Sequence, residues 1–217
     1  MAKRFPASRR YLTAMGVAVA IAALTGPLFA QDQLHPPKTK PPEPPAELPK
    51  VSKIPADRAK RLDFLFGALK AAPDEISAKH VEAGIWAIWL QTPSDTAALL
   101  MARAKAAIDA QQPKLAIKLL DAVIKLRPDY VEAWNRRATL YYLQNDYAHA
   151  MADLEQVLIR EPRHFGALAG LGMIMEDLGD DKRALDAFRK ALDINPHLDK
   201  VPELVKQLSE EVEGRDI

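Results

Sequence analysis

The sequence predicts an all-α protein built as a solenoid of stacked helix pairs, with about nine helices and no sheet. Three observations carry this expectation. Prolines recur at equal intervals, at Pro128, Pro162 and Pro196. Small and large apolar residues repeat with the same spacing: Ala104, Ala138 and Gly172; Ala116, Ala150 and Ala184; Leu120, Leu154 and Phe188. A fixed period of this length, about 34 residues, marks units that cannot bury their apolar faces alone and do so by stacking on their neighbours. Finally, 48% of the 217 residues are apolar but only 6% aromatic, so a core can form and must be mostly aliphatic.

The elements follow in chain order. Residues 1–30 read as a secretory signal peptide. Lys3, Arg4, Arg9 and Arg10 precede an apolar run from Leu12 to Leu24, and the helix-breaking Gly26 and Pro27 end it before Leu28, Phe29 and Ala30. The run holds about thirteen residues, fewer than the roughly 17 to 25 that a membrane-spanning helix needs. Cleavage is expected after Ala30. An uncleaved inner-membrane anchor is the alternative, because Leu28 is larger than the alanine preferred three residues before a cut. Ser8 to Leu12 resembles part of a twin-arginine signal, but Thr13 and Ala14 depart from it, so the general secretion route is expected. Residues 31–55 are expected to form a proline-rich, disordered spacer, because Pro36, Pro37, Pro41, Pro42, Pro44, Pro45, Pro49 and Pro55 disfavour both helix and core; the alternative is that Pro-Pro-Glu-Pro-Pro is a ligand for proline-binding domains. In polyproline II geometry the spacer would reach up to about 80 Å.

Residues 56–96 are expected to form an N-terminal capping hairpin. Arg58 to Ala71 places Leu62, Leu65, Phe66 and Leu69 on one helical face, and after Pro73 the stretch Glu75 to Leu90 does the same with Val81, Ile85, Ile88 and Trp89. Residues 97–198 hold three units, 97–130, 131–164 and 165–198, each of two helices. Their turns are Gln111-Gln112-Pro113, Asn145-Asp146-Tyr147 and Gly179-Asp180-Asp181, where Asn and Gly suit a left-handed residue ending a helix. Residues 199–217 supply a C-terminal capping helix, with Val201, Leu204, Val205, Leu208 and Val212 on one stripe and Pro202 tolerated in the first turn. Caps are expected because a stack otherwise ends on an exposed apolar face.

At this level of detail the chain resembles the tetratricopeptide repeat (TPR) family. The second unit carries the resemblance through Trp134, Ala138, Tyr141, Ala150, Leu154, Val157 and Pro162, and the third through Leu168, Leu171, Gly172, Ala184, Phe188, Ala191 and Pro196. The first has Leu100 in place of the early aromatic but keeps Ala104, Ala116, Leu120, Val123 and Pro128. The resemblance implies a right-handed superhelical solenoid of antiparallel helix pairs, working without catalysis as a protein-interaction scaffold or adaptor.

It also implies a concave groove lined by the first helix of each unit, through its second, fifth, sixth, ninth, twelfth and thirteenth residues. In the second unit these are Glu132, Asn135, Arg136, Thr139, Tyr142 and Leu143. In the third they are Gly166, Ala169, Gly170, Met173, Glu176 and Asp177, and the first adds Met101, Lys105, Ile108 and Asp109. The candidate partner-binding residues are Asn135, Arg136, Thr139, Tyr142, Gly166, Ala169, Gly170, Met173 and Glu176. Stacking does not require glycine at 166 or 170, where it costs up to about 1 kcal/mol against alanine. This bare wall is expected to admit a close-lying peptide backbone or helix, with Asn135 bonding its amides and Arg136 and Tyr142 anchoring its side chains. The alternative is that glycine and alanine here only let neighbouring helices approach. A terminal-carboxylate clamp of the kind found in chaperone-binding members is not expected. The corresponding places hold Met101, Lys105, Arg136, Gly166 and Gly170, and only two of these are basic.

Other chemistries find no footing. There is no cysteine, which excludes disulfides, thiolate zinc sites and cysteine nucleophiles. No metalloprotease, nucleophile-elbow or P-loop motif occurs, so no catalytic residue, metal or small-molecule cofactor is expected, and an unrecognised enzyme is the remote alternative. His164 and His197 both lie just beyond the repeat-ending prolines, so their similarity reflects the repeat and not a ligand pair. Gly166, Gly170 and Gly172 follow no strand, so they do not form a dinucleotide loop. Beyond the first thirty residues there are 26 basic against 29 acidic residues, which gives no footprint for nucleic acid. Arg137 is expected to pair with Asp153 within its unit, and Trp86 and Trp89, one turn apart, to lie in the hairpin's core. The expected partner is another protein or a peptide, in the bacterial periplasm, with membrane contact only if the signal is uncleaved. Self-association through the hairpin is an alternative.

Overall fold

The computed structural model describes residues 57–92 and 94–214, all within the second of the chain's two units, 46–217. The expected signal peptide and spacer lie outside the described residues. Among the described residues there are nine helices and no strand: α1 (Arg58–Lys70), α2 (Glu75–Trp89), α3 (Asp95–Asp109), α4 (Pro113–Leu126), α5 (Val131–Leu143), α6 (Tyr147–Arg160), α7 (Phe165–Asp177), α8 (Asp181–Ile194) and α9 (Val201–Val212).

The helix ends are written in the sequence. Asp57, Asp74, Ser94, Asp146, His164 and Asp180 each accept a hydrogen bond from a backbone N–H of the first turn, satisfying a donor that the helix itself cannot. The turns between paired helices are the same structure three times. Gln111, Asn145 and Gly179, at equivalent places in successive units, take φ of 56°, 59° and 75°. The next residue's N–H then reaches back to Ala107, Tyr141 and Met175 at 2.8, 2.9 and 2.8 Å. This pattern closes a helix on a left-handed residue.

Helices α3 and α4, α5 and α6, and α7 and α8 pack as pairs, each pair stacks on the next, and α9 packs on α8. The small residues sit where helices cross: Ala104, Ala116, Ala150 and Ala184 are fully buried. The first two pairs set alanine (Ala104, Ala138) with leucine (Leu120, Leu154) at the repeat positions where the third sets Gly172 with Phe188. An added Cβ on Gly172 would lie 2.6 Å from that ring. The larger ring is accommodated by the missing side chain.

The hairpin α1–α2 buries its apolar faces against later units of the stack. Its buried cluster, Leu62, Phe66, Leu69, Ala78, Ile85, Ile88 and Trp89, contains no residue of α3 and closes instead on Phe165, with Ile194 and Leu198 alongside. Trp89 stacks on His164 with ring centres 4.1 Å apart and planes 11° from parallel. Polar contacts mark the same route. Tyr130 donates to the Leu90 carbonyl at 2.7 Å, Arg163 pairs with Asp63 at 2.6 Å, and Glu82 accepts from Asn195 at 3.0 Å. The hairpin thus runs along the loops that enter α5 and α7 and leave α8. Apolar periodicity identifies the face a helix must bury; its complement, His164 and Phe165, lies two units further along the chain and has no period of its own. Leu99 on α3 remains exposed.

Candidate functional site: the inner groove

The candidate residues fall into two groups. On α5, Asn135 donates to Glu132 at 3.4 Å, Arg136 Nε lies 3.8 Å from the other oxygen of Glu132, and Thr139 donates to the Asn135 carbonyl at 3.1 Å. Glu132, at 2% exposure, is not a groove surface. It faces the fully buried His164, whose Nδ1 accepts from the Ala167 N–H at 3.0 Å. That bond leaves the proton on Nε2, which donates to Glu132 at 3.0 Å. The buried carboxylate is therefore compensated by three neighbours, and it positions Asn135 and Arg136, which stay half-buried.

Further along, the ends of α5 and α7 meet. Tyr142 lies 6.0 Å from the Tyr147 ring, and Tyr147 donates to Asp177 at 3.2 Å. Burial, followed by the charge of Asp177 and a hydrogen bond to it, pushes the Tyr142 hydroxyl up to about 12, so it is a donor at any physiological pH. Burial is also the main cause raising the carboxyl of Glu176, with further contributions from Asp177, Asp181 and Glu211. Met173 is exposed, and Ala169 packs on the cluster around Met175 and Phe188.

The two bare positions differ. A Cβ on Gly166 would lie 3.2 Å from the Trp86 ring, so this glycine serves the hairpin's own indole. A Cβ on Gly170 would meet only the Leu154 methyls, at 3.6 and 3.8 Å, which is ordinary contact. A methyl group at 166 would press the Trp86 ring back by a few tenths of an ångström, whereas one at 170 would displace nothing.

On the other face of the stack, Asp121, Trp134, Arg137, Tyr141, His149 and Asp153 line an open cavity of about 630 Å³. Arg137 forms the expected bidentate pair with Asp153, at 2.8 and 2.7 Å, and also reaches Asp121 at 2.6 Å. Its guanidinium lies 5.1 Å from the centre of the Trp134 ring. These charges satisfy one another, holding α4, α5 and α6 together. Among the described residues no group of three metal-ligating side chains converges, and no helix is long and apolar enough to cross a membrane.

The stacked pairs are matched by the family model of the tetratricopeptide repeat over residues 101–156 and 144–199. A TPR repeat-containing protein of Rhizobium etli is 42% identical over 154 residues, spanning 71% of this chain and 76% of the relative. The chain belongs to the tetratricopeptide repeat family. Solved TPR structures share its fold at lower identity. The Sgt2 TPR domain of Aspergillus fumigatus superposes with a TM-score of 0.52 at 22% identity, covering 56% of this chain and 82% of that one. The first TPR of Spaghetti, bound to an HSP90 peptide, gives 0.53 at 16%, covering 56% and 97%. MamA gives 0.52 at 19%, covering 73% and 82%. As a TPR solenoid the chain is a scaffold for protein–protein interaction, a fold that in general works without catalysis.

Sequence reasoning missed two parts of this site. The hairpin's cover over Gly166 and the buried Glu132–His164 pair both depend on residues far apart in the chain. The one local signal was a glutamate at a groove position followed, 32 residues on, by a histidine at a helix N-cap.

Proposed function

We propose that this TPR protein is an exported, non-catalytic adaptor of the bacterial periplasm that holds a peptide or helix of a partner protein in its concave groove. The observation that carries the reading is what remains accessible after the chain's own packing is complete: Asn135, Arg136, Thr139 and Tyr142 on one wall, and Met173 and Glu176 on the next, beside the half-buried Gly170. Gly166 and Ala169 take part only as the floor beneath Trp86 and beside the core. The Spaghetti TPR with its HSP90 peptide supports the capacity of the fold to hold such a ligand. Export rests on the basic, apolar and Ala30-ending order of residues 1–30.

The test is cross-linked affinity capture from the native envelope fraction, comparing the wild type with a variant carrying Asn135→Ala, Arg136→Ala and Tyr142→Ala, both first shown to be equally folded. A partner recovered by the wild type and lost by the variant is the expected result; equal capture by both removes the groove from the account. The intact mass of the mature protein tests export: loss of residues 1–30 is expected, and their retention would favour the anchored alternative.

A further inference from the structure

The two edges of the groove are unlike. The edge at the start of α5 and α7 is closed by the hairpin, through Trp86 over Gly166, Trp89 on His164 and Tyr130 on Leu90. The opposite edge, where α5, α7 and α9 end, is open. Three of the large apolar side chains that the fold leaves exposed lie there, one per helix end: Leu143 at 68%, Leu178 at 53% and Val212 at 37%, with Met173 at 39% one turn further in. Leu143, Leu178 and Val212 follow one another at close to the repeat period, which gives one to each successive unit. They form a row, and scattered single exposures would not.

Carboxylates outnumber cations along this row, where Arg189 is held by Glu213 at the end of α9, at 2.7 Å. Each of the helices α3, α5, α7 and α9 ends without a basic residue in its last turn, although the carbonyl end of a helix carries a partial negative charge that favours one. Carboxylates occupy the same ends: Glu176 and Asp177 on α7, Glu211 on α9. Asp177 receives tyrosine hydroxyls, Glu211 accepts from Gln207 at 3.1 Å, and the nearby Arg183 is turned to Asp180 at 2.6 Å. At the first unit Asp109 is neutralised by Lys105 at 2.6 Å. Among the described residues, the carboxylates of this edge that no cation meets are therefore Glu176 and Asp177 on α7 and Glu211 on α9, beside the Arg189–Glu213 pair, and burial with neighbouring carboxylates already disfavours the charge on Glu176.

Resting on the groove reading above, we infer that the partner enters by this open edge as a basic amphipathic segment, with apolar side chains on Leu143, Leu178 and Met173 and lysine or arginine heads at Glu176 and Glu211. Charge complementarity selects this occupant over an acidic tail, which the row of carboxylates and helix carbonyl ends would repel. A helix of this kind matches the alternation, because its apolar stripe and flanking cations present the same two rows.

The test uses the purified full-length protein and two fluorescent synthetic peptides: an amphipathic helix former of lysines and leucines, and its counterpart with every lysine changed to glutamate. Fluorescence anisotropy is expected to show binding of the first alone, weakened when salt is raised from about 0.05 to 0.3 M. Glu176→Gln with Glu211→Gln, and separately Leu143→Ser with Leu178→Ser, are each expected to weaken it at least tenfold; all four residues are exposed or half-exposed, and helicity and melting temperature confirm folding. Absence of binding, equal binding of the glutamate peptide, or binding indifferent to both pairs overturns the inference. Binding indifferent to these pairs but lost in the Asn135, Arg136 and Tyr142 variant leaves the groove standing and removes only the basic partner. Indifference to all three variants removes both.

Discussion

Replacing Gly172 by alanine places a Cβ 2.6 Å from Cδ1 and Cε1 of Phe188 and 2.9 Å from Cζ. Ordinary contact begins near 3.4 Å, so the ring must retreat by about 0.8 Å, yet Phe188 is fully buried and has nowhere to go. Overpacking of this kind costs about 1–3 kcal/mol, and here the upper end applies because three ring atoms are struck at once. Alanine's better helix propensity offsets about 1 kcal/mol of this, leaving a net loss near 2 kcal/mol. In a domain of this size that corresponds to a fall of roughly 4 to 8 °C in melting temperature. Gly170→Ala is the matched control. Its Cβ meets Leu154 at 3.6 Å, so the propensity gain stands alone and a stabilisation of about 0.5–1 kcal/mol is expected. Adding Phe188→Leu to Gly172→Ala recreates the alanine and leucine arrangement of the first two units, and urea denaturation should show most of the loss recovered. A double variant no more stable than the sum of its single changes would refute the coupling of ring and glycine.

Trp89→Ala should cost about 3–5 kcal/mol, because it empties the centre of the hairpin cluster and uncovers His164; hydrogen exchange at Ala167, whose amide His164 caps, should accelerate with it. Arg137→Leu should cost about 3–5 kcal/mol by stranding the buried Asp153, and the further change Asp153→Leu should restore much of that, read by a denaturation double-mutant cycle. Glu176 has a raised folded pKa, so its contribution to stability falls as pH rises from the ordinary 4.5 through the raised value. Glu176→Gln should therefore stabilise the protein by a few tenths of a kcal/mol at neutral pH and lose that advantage below about pH 4, as thermal melts across pH will show.

The constant repeat spacing made the stack legible because every unit solves the same packing problem with the same residue types. Even the local exception, Gly172 opposite Phe188, stands out when the units are laid over one another. Turn chemistry was equally readable: asparagine and glycine at 145 and 179 announce a left-handed residue, and Gln111 joins them only through its position in the period. The Arg137–Asp153 pair followed from unit geometry, whereas Asp121 completes it from the preceding unit and left no mark. The hairpin's docking was illegible for a different reason. Trp86 and Trp89 satisfy a helical stripe wherever that stripe lands, and neither His164 nor Asn195 announces itself as its counterpart. The same gap obscured Gly166, whose missing side chain suggested room for a foreign backbone and in fact makes room for Trp86. Asn135, Arg136, Thr139 and Tyr142 were placed by the resemblance to the family, whose groove-lining positions the repeat register carries onto this chain.

The central claim is that a partner is held in the groove, and site-specific photo-cross-linking in native cells tests it most directly. A photoreactive residue is introduced in turn at Met173 inside the groove and at Ile159, which is exposed on the outer helix α6. The account predicts a discrete cross-linked partner from Met173 that is absent from Ile159. The same partner cross-linked from Ile159 and not from Met173 would contradict it.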